Sequence, residues 1–271
     1  MIEVLHLEFV RNALLAGFLA SIMCGIIGTL VVVNRIVFIS GGIAHASYGG
    51  IGLAFFLGFS YVWGILGFAL LAALIMAAVS MKAKQRADTI IGVVWAVGMA
   101  LGVILLDITP GYNVDLMSYL FGSILTVPTS DLWFMLILDG LVVLIVGYYY
   151  HDLVSLSYDE EFAQVRGIPV KFLYFLLIAM IALSVVMVIQ VVGLILVIAL
   201  LTIPPYIAEK YAESLSKMML YSILLNFFFT STGLLLSYHF NLTSGASIIM
   251  VSAICFFISF LVERLKPKRS A

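Results

Sequence analysis

The sequence predicts an all-α protein, a polytopic membrane helix bundle of about nine transmembrane helices with its N-terminus outside and its C-terminus cytoplasmic. Two observations carry that expectation. Hydrophobic residues make up 64% of the chain and charged residues only 10%, against roughly 45–50% and 25% in ordinary soluble domains. The charges are also absent from long runs: 12–34, 36–81, 172–208 and 218–262 contain no Asp, Glu, Lys or Arg. One crossing takes roughly 20 apolar residues, so the first run holds one helix and the others two each.

Boundaries set at charges, Pro, Gly and Asn place spans at 11–33, 41–59, 61–80, 89–107, 131–150, 171–189, 191–207, 218–238 and 243–262. Orientation follows from Lys and Arg, which favour cytoplasmic loops near helix ends. With the tail Arg264, Lys266, Lys268 and Arg269 inside, alternation puts Arg35, Lys82/Lys84/Arg86, Arg166/Lys171 and Lys210/Lys217 inside as well, and only Arg11 outside. The first span reads as a membrane helix and not a cleaved leader, because Glu3 and Glu8 stand where a positive flank would be. Segment 108–130 is expected to be external, with Met117–Val127 too short to span and therefore interfacial or re-entrant. Tyr148, Tyr149 and Tyr150 fall at an inner boundary, as an aromatic belt would. Residues 1–271 read as a single transmembrane domain with a cytoplasmic loop at about 152–170.

The composition excludes several functions. A net charge of −1 with no basic stripe argues against nucleic acid. Cys24 and Cys255 lie inside apolar runs, where they pack and form neither a disulfide framework nor a zinc-finger spacing. GxSxG, HExxH, a paired intramembrane Asp motif and Walker A are all absent, so the chain is not expected to be an enzyme and any ATP is hydrolysed elsewhere.

The polar residues within or at the edge of spans are Asn34, His45, Asp107, Asp139, Gln190, Asn226 and His239. His45 is the most informative. Gly41 and Gly49 lie one turn to either side of it and leave room around the imidazole. It is either hydrogen-bonded across a close small-residue helix contact, or a cavity-lining nitrogen offered to a passing transition-metal cation. Ionisable groups are costly in the membrane, which favours function. Asp139 sits mid-span, where a bare carboxylate costs roughly 2.5–3.5 kcal/mol, so it is paired, protonated or solvated. Asp139 and the membrane-edge His239 are candidate further ligands beside His45. Asp107 lies nearer the outer boundary, and Gln190 and Asn226 read as interhelical hydrogen-bonding groups.

The inner loop contains its own helix signal. Ser157 or Asp159 can cap a short helix through Glu160, Glu161, Phe162, Ala163, Gln164, Val165 and Arg166, ended by Gly167 with Pro169 beyond. This is either an amphipathic helix lying on lipid or a peg for a cytoplasmic partner.

Three segments together resemble the permease subunits of the zinc/manganese/iron ABC importer family. Ser40–Leu53, with His45, is similar to that family's G-D-x-x-x-H-A segment. Asp159–Ile168 resembles its D-x-E-x-A-x-x-x-G-I loop, and Val192–Pro204 its V-G-x-x-L-V-x-A-L-L-x-x-P segment. Thr243-Ser244-Gly245-Ala246 is similar to the S-G-A that opens its last helix. The matches span nearly the whole chain. One position departs: the acidic residue four before the histidine is here Gly41, so of that metal pair only His45 carries over.

The resemblance implies a second copy of the chain, two cytoplasmic ATPase subunits and an external metal-binding protein. It implies a transported divalent ion, Zn, Mn or Fe, and no tightly held cofactor. It also implies ATPase coupling through Asp159, Glu160, Glu161, Phe162, Ala163, Arg166 and Gly167. Three readings compete with it: import of a metal chelate by the same architecture, a secondary transporter using Asp139, and a non-transporting scaffold.

Overall fold

The computed structural model describes residues 8–82, 86–110, 122 and 124–265. Twelve α-helices and one short 3-10 turn, Ile124–Thr126, make up the described chain, without a strand. The helices are α1 (Glu8–Val33), α2 (Val37–Ala46), α3 (Tyr48–Leu57), α4 (Tyr61–Lys82), α5 (Ala87–Asp107) and α6 (Thr129–Tyr148). Then come α7 (Tyr150–Tyr158), α8 (Glu160–Val165), α9 (Val170–Val192), α10 (Leu194–Glu209), α11 (Leu215–Phe240) and α12 (Ser244–Leu265).

Among the described residues eight stretches are long and apolar enough to cross a bilayer, counting α2 and α3 together as Val37–Leu57. The remaining expected span, the seventh at 191–207, is α10, whose 16 residues rise roughly 24 Å. The expected interfacial element Met117–Val127 lies mostly outside the described residues, as do Glu3, Lys84, Lys266, Lys268, Arg269 and the Gln190 side chain.

Three boundaries differ from expectation. The second span is not continuous: it breaks at Ser47 into α2 and α3, with Ser47 Oγ donating to Ala44 O at 2.6 Å. The sixth and seventh spans meet at Gly193, whose φ of +78° is open to glycine. The inner loop is largely helical, because α7 continues beyond α6 after a turn at Tyr149.

α1 and α9 form the centre. Ala13, Ala16, Ala20, Met23, Cys24 and Ile27 of α1 are buried, and α9 is enclosed from Leu177 to Val192 except at a few positions. α1 packs on α11, α10, α6 and α9; α9 packs on α4, α2, α1, α10 and α6. The peripheral α5 turns Val93, Val97 and Ile104 outward, as a lipid-facing stripe does. Among described residues the α1–α11 contact carries an interhelical hydrogen bond, Thr29 Oγ1 to Ser222 Oγ at 3.2 Å. Asn226, read above as such a group, is fully buried and has no hydrogen-bond partner among the described residues.

The charged loops collect at one end. Arg35, Met81, Asp88, Ser157, Glu160, Glu209 and Glu213 all border one cavity there. Lys210 Nζ meets Glu263 at 2.7 Å, joining the ends of α10 and α12 at the same level. This is the arrangement that cytoplasmic Lys/Arg clusters require, and it defines the inner end below. At the opposite end Asn12 Nδ2 donates to Val127 O at 3.3 Å, and Trp63 and Trp133 are 68% and 63% exposed, as residues of an aromatic belt are.

Candidate functional site

α2 starts at the inner end, and His45 lies eight residues along it, roughly 12 Å toward the membrane centre. Its imidazole stacks on the indole of Trp95 from α5, with ring centroids 4.1 Å apart and planes 12° from parallel. Trp95 in turn donates from Nε1 to Met99 Sδ at 3.3 Å and approaches Phe38 at 5.9 Å. Phe38, Gly41 and His45 occupy successive turns of one α2 face, and Ile91, Trp95 and Met99 do the same on α5. His45 Nδ1 is enclosed without a hydrogen-bond partner among the described residues. A buried polar nitrogen of that kind carries an uncompensated desolvation cost of roughly 1–3 kcal/mol.

The glycines around His45 divide into two groups, which corrects the expectation that Gly49 as well as Gly41 leaves room beside the imidazole. After the break at Ser47, α3 packs on α4 and α5 through direct backbone approach. Gly50 lies against Gly64, and Gly52 against Gly102, so closely that a Cβ on either would overlap a backbone carbonyl. Gly49 is likewise filled in by Phe68 and Gly98. Gly41 alone stays with His45: a Cβ there would sit 3.5 Å from Ile198 Cδ1 and 3.9 Å from Trp95 Cζ3, ordinary van der Waals distances. Packing therefore does not demand glycine at position 41.

Below this cluster a cavity of about 840 Å³ opens at the inner end. Its mouth carries Arg35, Asp88, Glu160, Glu209 and Glu213, a surplus of carboxylates over cations. Its walls include Phe38, Ile39 and Ile91, so its upper limit is one helical turn from Trp95.

The other two candidate metal residues lie elsewhere. Asp139, 4% exposed, is on α6, which packs on α1, α9 and α7; it is within electrostatic reach of Cys24 on α1. Neither of its carboxylate oxygens has a hydrogen-bond partner among the described residues. His239 is exposed in the last turn of α11, toward the outer end, with its ring edge-on to Phe240 at 4.9 Å. The described residues contain no group of three or more His, Cys, Asp or Glu able to hold a metal ion. Of the three, His45 is the one within two turns, along its own helix, of residues lining the inner cavity, Phe38 and Ile39.

The short inner helix has the expected form. Asp159 is the N-cap: its Oδ1 accepts from Phe162 N at 2.8 Å. Ser157, the other cap considered, instead accepts from Asn34 Nδ2 at 2.9 Å. The helix ends in a Schellman arrangement, with Gly167 N donating to Gln164 O at 3.0 Å, Ile168 N to Ala163 O at 3.1 Å, and Gly167 at φ +78°. Ala163 is fully buried against Leu156, Val170 and Leu173, which anchors the helix. Its outer side leaves Phe162 52% and Val165 87% exposed, with Glu160 and Glu161 in the first turn and the Arg166 guanidinium 5.6 Å from the Phe162 ring.

Sequence reasoning missed Trp95 and Phe38. One signal was present: Trp63 and Trp133 fall near the starts of their helices, where interfacial Trp belongs, whereas Trp95 sits well inside an apolar span.

A family model described as the ABC 3 transport family matches residues 6–263. An uncharacterized membrane protein, slr2045, of Synechocystis is 50% identical over 264 residues, covering 97% of this chain and 94% of that protein. The manganese import system permease protein ScaB of Streptococcus gordonii is 33% identical over 262 residues, covering 96% and 94%. Among solved structures, PsaBC from Streptococcus pneumoniae in complex with Fab contains a chain that superposes with a TM-score of 0.86 at 32% identity. The match covers 96% of this chain and 94% of that one.

Proposed function

The chain belongs to the ABC 3 transport family, and on that premise we propose that it is the membrane permease subunit of an ATP-driven importer of a divalent transition-metal ion. The candidate ions are manganese, for which the ScaB relative is named, zinc and iron. The chain works with a second copy of itself, two cytoplasmic ATPase subunits and an external metal-binding protein, within membrane lipid and without nucleic acid.

The observation that carries this reading is the coincidence of two features at one end of the bundle. His45, stacked on Trp95, lies two helical turns along α2 from Phe38, which lines an acid-mouthed inner cavity. At that same end, α8 presents a capped helix with exposed apolar side chains, bounded by Asp159 and Gly167. Glu160, on this helix, also lines the cavity, so a partner pressing on α8 acts directly on the cavity wall. His45 offers the ion a neutral nitrogen, and transport needs a ligand weak enough to release it; one imidazole with water or a carbonyl meets that need better than a complete cage.

The close His45–Trp95 contact favours a bare ion over a chelate, which needs a wide apolar passage. Asp139, remote from the inner cavity's lining, gives no support to a proton-driven carrier.

The test is uptake by vesicles containing the permease, its cognate ATPase and binding protein, assayed with Mn²⁺, Zn²⁺ and Fe²⁺ separately. ATP-dependent accumulation of at least one ion is expected. Accumulation driven by a proton or sodium gradient without ATP would overturn the proposal.

A further inference from the structure

We propose that Trp95 is the positioning residue of the cation pathway, holding the His45 imidazole face-on and standing as an aromatic gate between it and the inner cavity. The inference rests on the importer reading above and goes beyond it by assigning a residue that lies outside the chain's motifs. Four observations converge on it.

The two rings are nearly parallel at 4.1 Å, a contact that fixes the imidazole plane. The indole is itself fixed at its far edge by the Nε1–H to Met99 Sδ bond at 3.3 Å. Phe38 and Ile91, which line the top of the inner cavity, are the α2 and α5 residues one to two turns below His45 and Trp95, and Phe38 reaches the indole at 5.9 Å. The Trp95–Phe38 contact therefore lies between the level of His45 and the top of the cavity. Finally, position 41 opens toward Trp95 and Ile198, and its Cβ would fit.

These facts also give Trp95 a part in specificity. With glycine at 41, the wall beside His45 is indole and isoleucine, where an acidic side chain would offer oxygen. The ion meets one imidazole nitrogen and an aromatic face, a set that weakens retention of hard, oxygen-preferring cations relative to those that accept nitrogen readily. Groups that orient a metal-binding histidine typically change metal affinity about 10-fold or more when removed.

The test uses the full chain carrying Trp63→Phe and Trp133→Phe, so that Trp95 is the remaining one of three tryptophans. In lipid vesicles its emission is titrated with Mn²⁺ and with Zn²⁺, beside the same protein carrying His45→Ala. A saturable change in Trp95 emission that disappears with His45→Ala is expected. An emission indifferent to cation, at concentrations the assembled importer transports, overturns the gate. In the assembled importer, Trp95→Leu should raise the cation concentration for half-maximal uptake about 10-fold, and Trp95→Phe, which keeps a stacking ring, should restore most of it. Equal uptake by Trp95→Leu and the parent overturns the proposal. Gly41→Asp should shift preference toward Mn²⁺ over Zn²⁺; an unchanged ratio would remove the specificity claim. If the parent complex moves neither ion, the importer reading itself fails, and that outcome is distinct from normal uptake with an insensitive Trp95.

Discussion

Asn34 Nδ2 donates to Ser157 Oγ at 2.9 Å and to Leu30 O at 2.8 Å, tying the inner end of the central helix α1 to α7. α7 in turn carries α8, the capped peg, through Asp159. Force applied at the peg thus has a short path into the core of the bundle. Ser157→Ala removes the partly buried bond, worth about 1 kcal/mol. It should lower the unfolding temperature of the purified protein slightly while reducing ion uptake per ATP hydrolysed. A full coupling ratio in that variant would show that the link plays no part in transmission.

Phe162, proposed as the apolar anchor of the peg, is half-exposed on a helix whose opposite side is held by Ala163. Phe162→Asp should abolish co-purification of the ATPase subunit without reducing membrane insertion. Asp159→Ala removes the cap and costs about 0.5–2 kcal/mol of local helix stability. It should weaken the same co-purification to a smaller degree. Undiminished ATPase recovery with Phe162→Asp, together with normal uptake, would place the docking surface elsewhere.

Close backbone packing around α3 sets up a contrast between two glycines in neighbouring helices. Gly50 lies against the Gly64 backbone, whereas a Cβ at Gly67 meets nothing within 4 Å. Gly50→Ala should destabilise by at least the 1–3 kcal/mol typical of overpacking, since backbone and not a flexible side chain stands in the way. Gly67→Ala should be neutral or stabilising by about 0.5–1 kcal/mol. Thermal unfolding of the two variants in the same detergent checks the pair. Equal transitions would mean that α3 and α4 do not approach as closely as described.

Asp139 is buried, has no hydrogen-bond partner on either oxygen among the described residues, and lies on a helix that does not line the inner cavity. Asp139→Asn keeps its shape and removes its capacity for charge, so metal uptake should persist and thermal stability should hold or rise. Loss of uptake in a stable Asp139→Asn protein would return this carboxylate to the transport path.

The parts of the fold legible in sequence were those fixed by local or solvent-driven costs. Charges cannot lie unpaired in hydrocarbon, so Arg35, Lys82, Lys210 and Arg264 marked helix ends that the structure keeps within a few residues. Asp159 and Gly167 were readable because cap chemistry acts within a single turn. What escaped depended on residues far apart in the chain. Trp95 is 50 positions from His45, and Ser222 is 193 from Thr29, so neither contact leaves a periodic trace. The break at Ser47 was hidden because an uninterrupted apolar run reads as one span, although only α2 carries the His45 face and α3 is given over to packing. The separation of Asp139 and His239 from His45 was equally invisible, since composition says which groups are costly in a membrane but not which helices adjoin.

Metal uptake by the His45→Ala variant tests the central claim most directly. The variant should be assembled with its ATPase and binding protein in vesicles, and its thermal unfolding measured on the same preparation. A stable, correctly assembled complex whose ATP-dependent uptake of Mn²⁺, Zn²⁺ and Fe²⁺ is abolished or strongly slowed is the predicted result. A stable complex that transports as the parent does would contradict it and remove His45 from the pathway.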